Sequence, residues 1–340
     1  MSIVAQGSGT ANLAVWVALV TAIGSLGVAV LNNYTGRRRE QALESLRQKL
    51  SGEQAQLNAT LDYKYEALKR LYTELQPLLF QLTETCESSY NRIAGLAETA
   101  RESAPWHQDR DYAMQTALRL MEPLAIVRLC RERLTVLDLS LDRDLAAQYE
   151  VMKQLYHAWT SSRELAAAAP RLTYKPVADD GTGAPADDPV HAWQHLSVGQ
   201  LELLIDSLIV PDAGKDADGG VRPRCMSYGE FLRNLDDDGS SVSAIYPVLA
   251  EIVRGFHPRQ KPVLWRILLT QAQLCRWLIA YNHGTRMLHP ADTIPDGDRS
   301  IFDWRPQDDA ASYDDAVTKP FQAVQRYLRT VFAQPPGATG

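Results

Sequence analysis

Residues Leu13 to Leu31 read LAVWVALVTAIGSLGVAVL, an apolar run with no charged side chain inside it. A helix of that length, rising ~1.5 Å per residue, spans about the hydrocarbon thickness of a bilayer. The twelve residues before it carry no charged side chain, while Arg37, Arg38 and Arg39 follow it closely. A cleavable signal peptide places its positive charge ahead of the apolar segment, the reverse of this order. Arginines resist translocation, so the basic flank stays on the cytoplasmic side. The pattern predicts a short extracytoplasmic N-terminus over 1–12 and a single transmembrane helix over 13–33. All that follows then lies in the cytoplasm, at the inner face of the cell membrane.

Within the apolar run, Ala18, Ala22, Ser25 and Ala29 recur at steps of four, three and four. Small side chains along one helix face let transmembrane helices approach closely, which makes these four a candidate self-association stripe. A charged, helix-favouring stretch follows. From Leu57 through Leu61, Leu68, Leu71, Leu75, Leu78 and Leu82, leucines alternate by four and three, with Lys64 at one seam position. Extended backwards, the register meets Leu50 and Leu43 but also Gln54 and Arg47. Two separated apolar positions per heptad are what a coiled-coil seam requires. A juxtamembrane helical stalk is expected over 34–62, with Leu57 and Leu61 as candidate self-association residues. From Tyr63 onward the leucine face is expected to pack within the chain. Pro77 lacks an amide hydrogen and is expected to bend or restart the helix.

The remainder reads as mostly α, a cytoplasmic helical-bundle body in two lobes. The first lobe covers 63–169, with helical patterns at Leu78–Glu102, Tyr112–Leu134 and Leu141–Ala168. Asp109, or Gln108 beside it, is the expected cap of the second pattern, and Ser140 of the third. Leu145, Tyr149, Met152, Tyr156 and Trp159 form one aromatic-rich face, read as core. Residues 170–190 are rich in Pro, Gly, Ala and Asp and predict a flexible linker. The second lobe covers 191–333, with patterns at Val198–Ile209, Tyr228–Leu235, Ser243–Phe256, Pro262–Asn282 and Lys319–Phe332. A disordered tail is expected over 334–340. The long apolar stretch from Pro262 to Tyr281 invites reading as a second span. Arg266, Arg276, Gln271 and Gln273 argue for a central buried helix instead, since charge at mid-bilayer is costly.

A formal charge of −6 disfavours a nucleic-acid partner. The four cysteines, Cys86, Cys130, Cys225 and Cys275, are spread singly, in no zinc or redox spacing. Two acidic stretches, Asp216–Gly219 and Asn234–Gly239, resemble calcium loops but lack the terminal glutamate such a loop needs. His191 and His195 lie one turn apart, without the intervening glutamate of a zinc-protease motif. His289, Asp292, Asp296 and Asp298 fall in a Pro- and Gly-containing loop. Arg254, His257, Arg259 and Lys261 form a basic cluster just before Pro262, a candidate anion or partner patch. No nucleophile elbow, phosphate loop or dinucleotide fingerprint occurs.

These residues point to a non-enzymatic, single-pass membrane scaffold, adaptor or sensor acting through helical protein–protein contacts, without metal or cofactor. Its expected partners are the lipid bilayer, other copies of itself and a cytoplasmic protein. A membrane-perturbing effector activated by clustering, of toxin or antiphage type, is the alternative. A membrane-tethered enzyme is a further one.

Overall fold

The computed structural model describes residues 9–102, 109–135, 139–161, 194–215, 221–284, 289–304 and 315–333. Side chains at 9–15, 29, 31, 35–42, 140, 212–215, 221–222 and 315–316 lie outside that description. Those of Ala29 and Arg37–Arg39 are therefore outside it, as are most of the expected N-terminal segment, the 170–190 linker and the 334–340 tail. The chain is mostly helical, and its contacts divide it into two units, Met1–Glu66 and Ala67–Gly340. Helix α1, Gly9–Arg101, supplies the described part of the first unit and continues into the second.

In the first unit, Trp16–Tyr34 is long and apolar enough to cross a membrane, with a mean hydropathy of 1.5. Its Thr and Ser hydroxyls are bonded back into the helix: Thr21 Oγ1 donates to the Val17 carbonyl at 2.6 Å, and Ser25 Oγ to the Ala22 carbonyl at 2.9 Å. Neither then presents an unsatisfied donor to an apolar surrounding. Leu43, Leu50, Leu57 and Leu61 are all more than half exposed.

In the second unit the same seam turns inward. Leu71, Leu75 and Leu82 are buried, and Leu68 and Leu78 pack at the core edge. Helix α1 runs through Pro77 without the restart that was one of the two sequence expectations. It forfeits a single backbone bond, while buried leucines on both sides hold the helix to the core.

Helix α2, Arg110–Leu134, begins where Asp109 accepts the Asp111 amide. A short 3-10 turn at Leu139–Leu141 precedes α3, Arg143–Thr160. Asp142, not Ser140, caps α3, because its carboxylate accepts the amides of Asp144 at 2.8 Å and Leu145 at 3.1 Å. Capping boxes open α4, Val198–Ser207, through Ser197 and Gln200, and α5, Tyr228–Leu235, through Ser227 and Glu230. Between them runs a hairpin that the sequence reading missed. Strand β1, Ile209–Lys215, pairs antiparallel with β2, Val221–Cys225, in the register Ile209↔Cys225. Ile209 had read as the last apolar position of α4, and Pro211 and Pro223 concealed the strand pattern.

Helix α6, Ser241–Val253, is capped by Ser240. Helix α7, Pro262–Asn282, starts with proline in its first turn and is buried along nearly its whole length. A 3-10 turn at Pro290–Asp292, then α8, Asp296–Asp303, and α9, Asp315–Val331, complete the unit.

Helix α7 packs on α3 and α9, while α2 packs on α6. The expected second lobe is therefore built directly onto the first. One contiguous core runs from Leu71 to Phe332, so the two-lobe reading gives way to a single body. The apolar stretch of α7 lacks a polar face because it has neighbours on several sides. Its Gln271 joins four helices: Nε2 donates to Ser89 Oγ at 2.9 Å and to the Leu120 carbonyl at 2.8 Å, and Oε1 accepts Trp159 Nε1 at 2.7 Å. Arg266 Nη1 reaches the carbonyls of Ala158 and Ser161, closing the end of α3. Arg276 lies 5.5 Å over the Tyr90 ring.

Candidate functional site

A surface cavity with a volume of about 470 Å³ lies where α2, α3 and α4 meet. Its floor is apolar, made by Leu124 and Val127 of α2, Met152 of α3 and Ile205 of α4. Tyr149 and Tyr156, seven residues apart on α3, stand two turns from one another on its wall. This is the aromatic stripe seen in the sequence, and it divides in two. Leu145, Met152 and Trp159 are buried, whereas Tyr149 and Tyr156 are only half-buried and border the cavity.

Glu202 of α4 ties the three helices together. It accepts the Tyr156 hydroxyl at 2.5 Å and Arg128 Nη1 at 3.2 Å. Burial, then the Glu202 carboxylate, push the Tyr156 phenol up to about 12, against a downward pull from Arg131 and Arg128. Arg128 also bonds Glu132 through Nε, at 3.2 Å. Lys153 pairs with Glu150 at 2.6 Å and sits 5.4 Å from the Tyr149 ring. Arg131 is exposed at the mouth and has no carboxylate partner among the described residues. His157 stands edge-on to Tyr156 with ring centroids 6.3 Å apart. The lining thus carries Arg128, Arg131 and Lys153 against the single carboxylate of Glu202, in a chain whose net charge is negative.

A more open notch lies between α1 and α2, where Arg92 stacks 4.8 Å over Tyr112 and Arg119 stands nearby. Arg119 turns inward to Glu122, bonding both carboxylate oxygens at 3.1 and 2.9 Å. Burial of Glu122 outweighs that pairing and holds its carboxyl above the ordinary value of 4.5. Burial and the nearby Glu122 push the Cys225 thiol up to about 12, and burial pushes Cys130 to about 12. Cys86, hydrogen-bonded with Cys275, is raised as well, chiefly by burial. Thiols held protonated in this way are poor nucleophiles and behave as core side chains.

The basic cluster read from the sequence is engaged with the body itself. Lys261 Nζ donates to the carbonyls of Ile252 at 2.7 Å, Arg254 at 2.6 Å and Glu251 at 3.4 Å, closing the C-terminal end of α6. Arg254 pairs with Glu251 at 2.9 Å. His257 Nδ1 accepts the Arg259 amide at 3.2 Å, and its ring meets Trp304 edge-on. The amides opening α7 go to Gln194 Oε1, which accepts Val263 N at 2.9 Å. Two of the four cluster cations are thereby committed to α6, and the helix start has its own side-chain partner.

His191 and the first calcium-like stretch lie outside the described residues. In the second stretch, Asp237 Oδ1 accepts the Gly239 amide and Ser240 caps α6. His289 bonds the Phe332 carbonyl through Nε2 at 3.0 Å and accepts the Ala291 amide, while Asp292 pairs with Arg329 at 2.7 Å and Asp298 accepts Tyr90. These acids disperse rather than converge, and no metal-holding cluster occurs among the described residues. Of the self-association residues, Ala18, Ala22, Ser25, Leu57 and Leu61 are all exposed.

The cavity residues on α2 and α4 were not picked out from the sequence. A charge pair one turn apart on α2, Arg128 and Arg131, was the available signal, but nothing in the pattern joins it to Tyr156 and Glu202. Comparison with protein-family models, with curated proteins and with solved structures finds no match.

Proposed function

We propose that the chain is a non-enzymatic, membrane-anchored adaptor or sensor whose helical body works at the cytoplasmic face through protein–protein contacts. The observation that carries this reading is the Trp16–Tyr34 segment. It is apolar and free of charge, its described side chains are all exposed, and the Thr21 and Ser25 hydroxyls are satisfied internally. In water so large an apolar surface would be a liability, whereas in lipid it is the stable arrangement. The arginines at 37–39 favour an N-terminus outside and a body inside. Exposed leucines at Leu43, Leu50, Leu57 and Leu61 support pairing of the stalk with a second copy.

Fractionation tests the anchor. Deleting residues 1–39 should move the body from the membrane to the soluble fraction, and a body that stays with the membrane would refute the reading. A C-terminal reporter active only in the cytoplasm is expected to be active on the full chain. Activity only of a periplasm-dependent reporter would reverse the topology.

A further inference from the structure

We propose that the cavity between α2, α3 and α4 binds a small planar organic anion: an aromatic or heteroaromatic ring bearing a phosphate or carboxylate. The inference supplies an input for the sensing role above. It rests on that reading for its consequence alone, since binding can be measured whether or not the chain is anchored.

Three features of the cavity converge on this chemistry. Its volume of about 470 Å³ falls within the usual range for small-molecule sites, roughly 300–1,000 Å³. An apolar floor and two half-buried tyrosines suit a flat ring. Arg128 and Lys153 are ion-paired, so the exposed guanidinium of Arg131 at the mouth is what favours an anion. Arg131 has no carboxylate partner among the described residues, and the Lys153 ammonium is held beside the Tyr149 ring. Glu132, Glu150 and Asp206 approach Arg128 or Lys153 from the rim rather than from the lining. Within the lining, Glu202 is occupied by Tyr156 and Arg128 and so is partly neutralised towards an incoming acid.

The cavity also has a route to the rest of the body. Its three walls are tied by the Glu202 bonds to Tyr156 and Arg128, and α3 packs on the central helix α7. A ligand seated in the cavity touches α2, α3 and α4 at once.

Isothermal titration calorimetry on the full chain in nanodiscs tests this with probes that separate the parts of the ligand. The four nucleoside monophosphates supply ring and phosphate, and indole-3-acetate supplies ring and carboxylate. Adenosine supplies the ring alone and ribose 5-phosphate the anion alone. At least one ring-bearing anion should bind saturably with a Kd below about 1 mM, and adenosine and ribose 5-phosphate at least about tenfold more weakly. Preference for the phosphates or for the carboxylate identifies the acidic group. Arg131→Glu and Lys153→Glu should each weaken binding by about tenfold or more, as should Tyr149→Ala, while Arg92→Glu in the other notch should not. Arg131 is exposed and Arg92, Tyr149 and Lys153 are half-buried, so the melting temperature of each variant is compared with the parent's to show that the fold persists. Absence of saturable binding by every ring-bearing anion would overturn the proposal. Ribose 5-phosphate binding as tightly as the nucleotides, or affinity indifferent to Arg131→Glu and Lys153→Glu, would overturn it equally. None of these results bears on the fractionation test of the anchor.

Discussion

Replacing Gln271 with leucine should destabilise the body out of proportion to the small change in volume. The amide meets Ser89, Leu120 and Trp159, on α1, α2 and α3, and these partners differ in what the loss leaves them. Leu120 keeps the bond that its carbonyl accepts within α2. The Ser89 hydroxyl can rotate back towards a carbonyl of its own helix, as Thr83 and Thr85 already do. The Trp159 indole has no such escape: the residue is fully buried, and its N–H would face a methyl group. A buried donor left unsatisfied costs about 1–3 kcal/mol, and the displaced Ser89 bond adds about a third of that. A loss of about 2–3 kcal/mol corresponds, for a domain of this size, to a melting temperature lower by about 5–10 °C. Near-UV dichroism of the full chain in detergent would follow it, because tertiary aromatic packing rather than α1 helicity gives that signal. Trp159→Phe removes the donor, so adding it to Gln271→Leu should cost about 1–2 kcal/mol less than adding it to the parent chain. A single variant within about 0.5 kcal/mol of the parent, or a double variant that is simply additive, would refute the view that this amide joins the four helices.

Three further outcomes follow from other parts of the structure. Lys261→Met removes a charged donor from the carbonyls at the end of α6 and should cost about 2–3 kcal/mol, with faster hydrogen exchange at residues 250–256; unchanged exchange there would leave the cap without effect. Burial raises the Glu122 carboxyl, so the folded state binds that proton more tightly than the unfolded one. Its contribution is complete below the unfolded pKa, about 4.3, and is lost as pH rises through the folded value. Glu122→Gln, always neutral, should therefore raise the melting temperature at pH 8 and lose that gain at pH 4; an equal gain at both would contradict the assignment. Leu71→Ala should cost the body about 2–5 kcal/mol, whereas Leu57→Ala should leave its melting within about 0.5 kcal/mol but weaken cross-linking between copies. Equal melting losses would remove the distinction between the two halves of the seam.

How much of this was legible depended on whether the signal was local. The leucine repeat marks α1 as a helix, and the expectation that its face packs within the chain after Tyr63 agrees with the burial of Leu71, Leu75 and Leu82. Asp109 and Pro262 announce helix starts because a cap or a first-turn proline acts within a few residues. Ser140 failed as a cap for the opposite reason: several polar residues compete over the same turn, and the winner depends on the 3-10 geometry at Leu139–Leu141. The two-lobe expectation failed at a larger scale. A stretch of poor core-forming composition marks where the chain leaves the core, but not whether it returns to the same core, as α4 and α7 do.

The same distinction explains why the basic cluster misled and the cavity was missed. Arg254, His257, Arg259 and Lys261 are close in sequence, so they look like a patch, yet proximity along a turn between helices also places ammonium groups next to helix-end carbonyls. With both partners on one short connection, Lys261 finds the end of α6 before it can serve any external anion. The cavity has the reverse composition. Arg128, Tyr156 and Glu202 lie on three helices and meet only through tertiary packing, so no spacing rule links them. A cation drawn from one segment is more readily consumed by its own backbone. Of the cavity's cations, Arg128 and Lys153 are paired with Glu132 and Glu150 of their own helices, whereas Arg131 has no carboxylate partner among the described residues. By that reasoning, charge reversal at Arg131 should leave melting within about 0.5 kcal/mol of the parent, while loss of the Lys261 charge should not. The opposite ranking in thermal unfolding would mean that the mouth of the cavity is built for stability and the α6 cap is not.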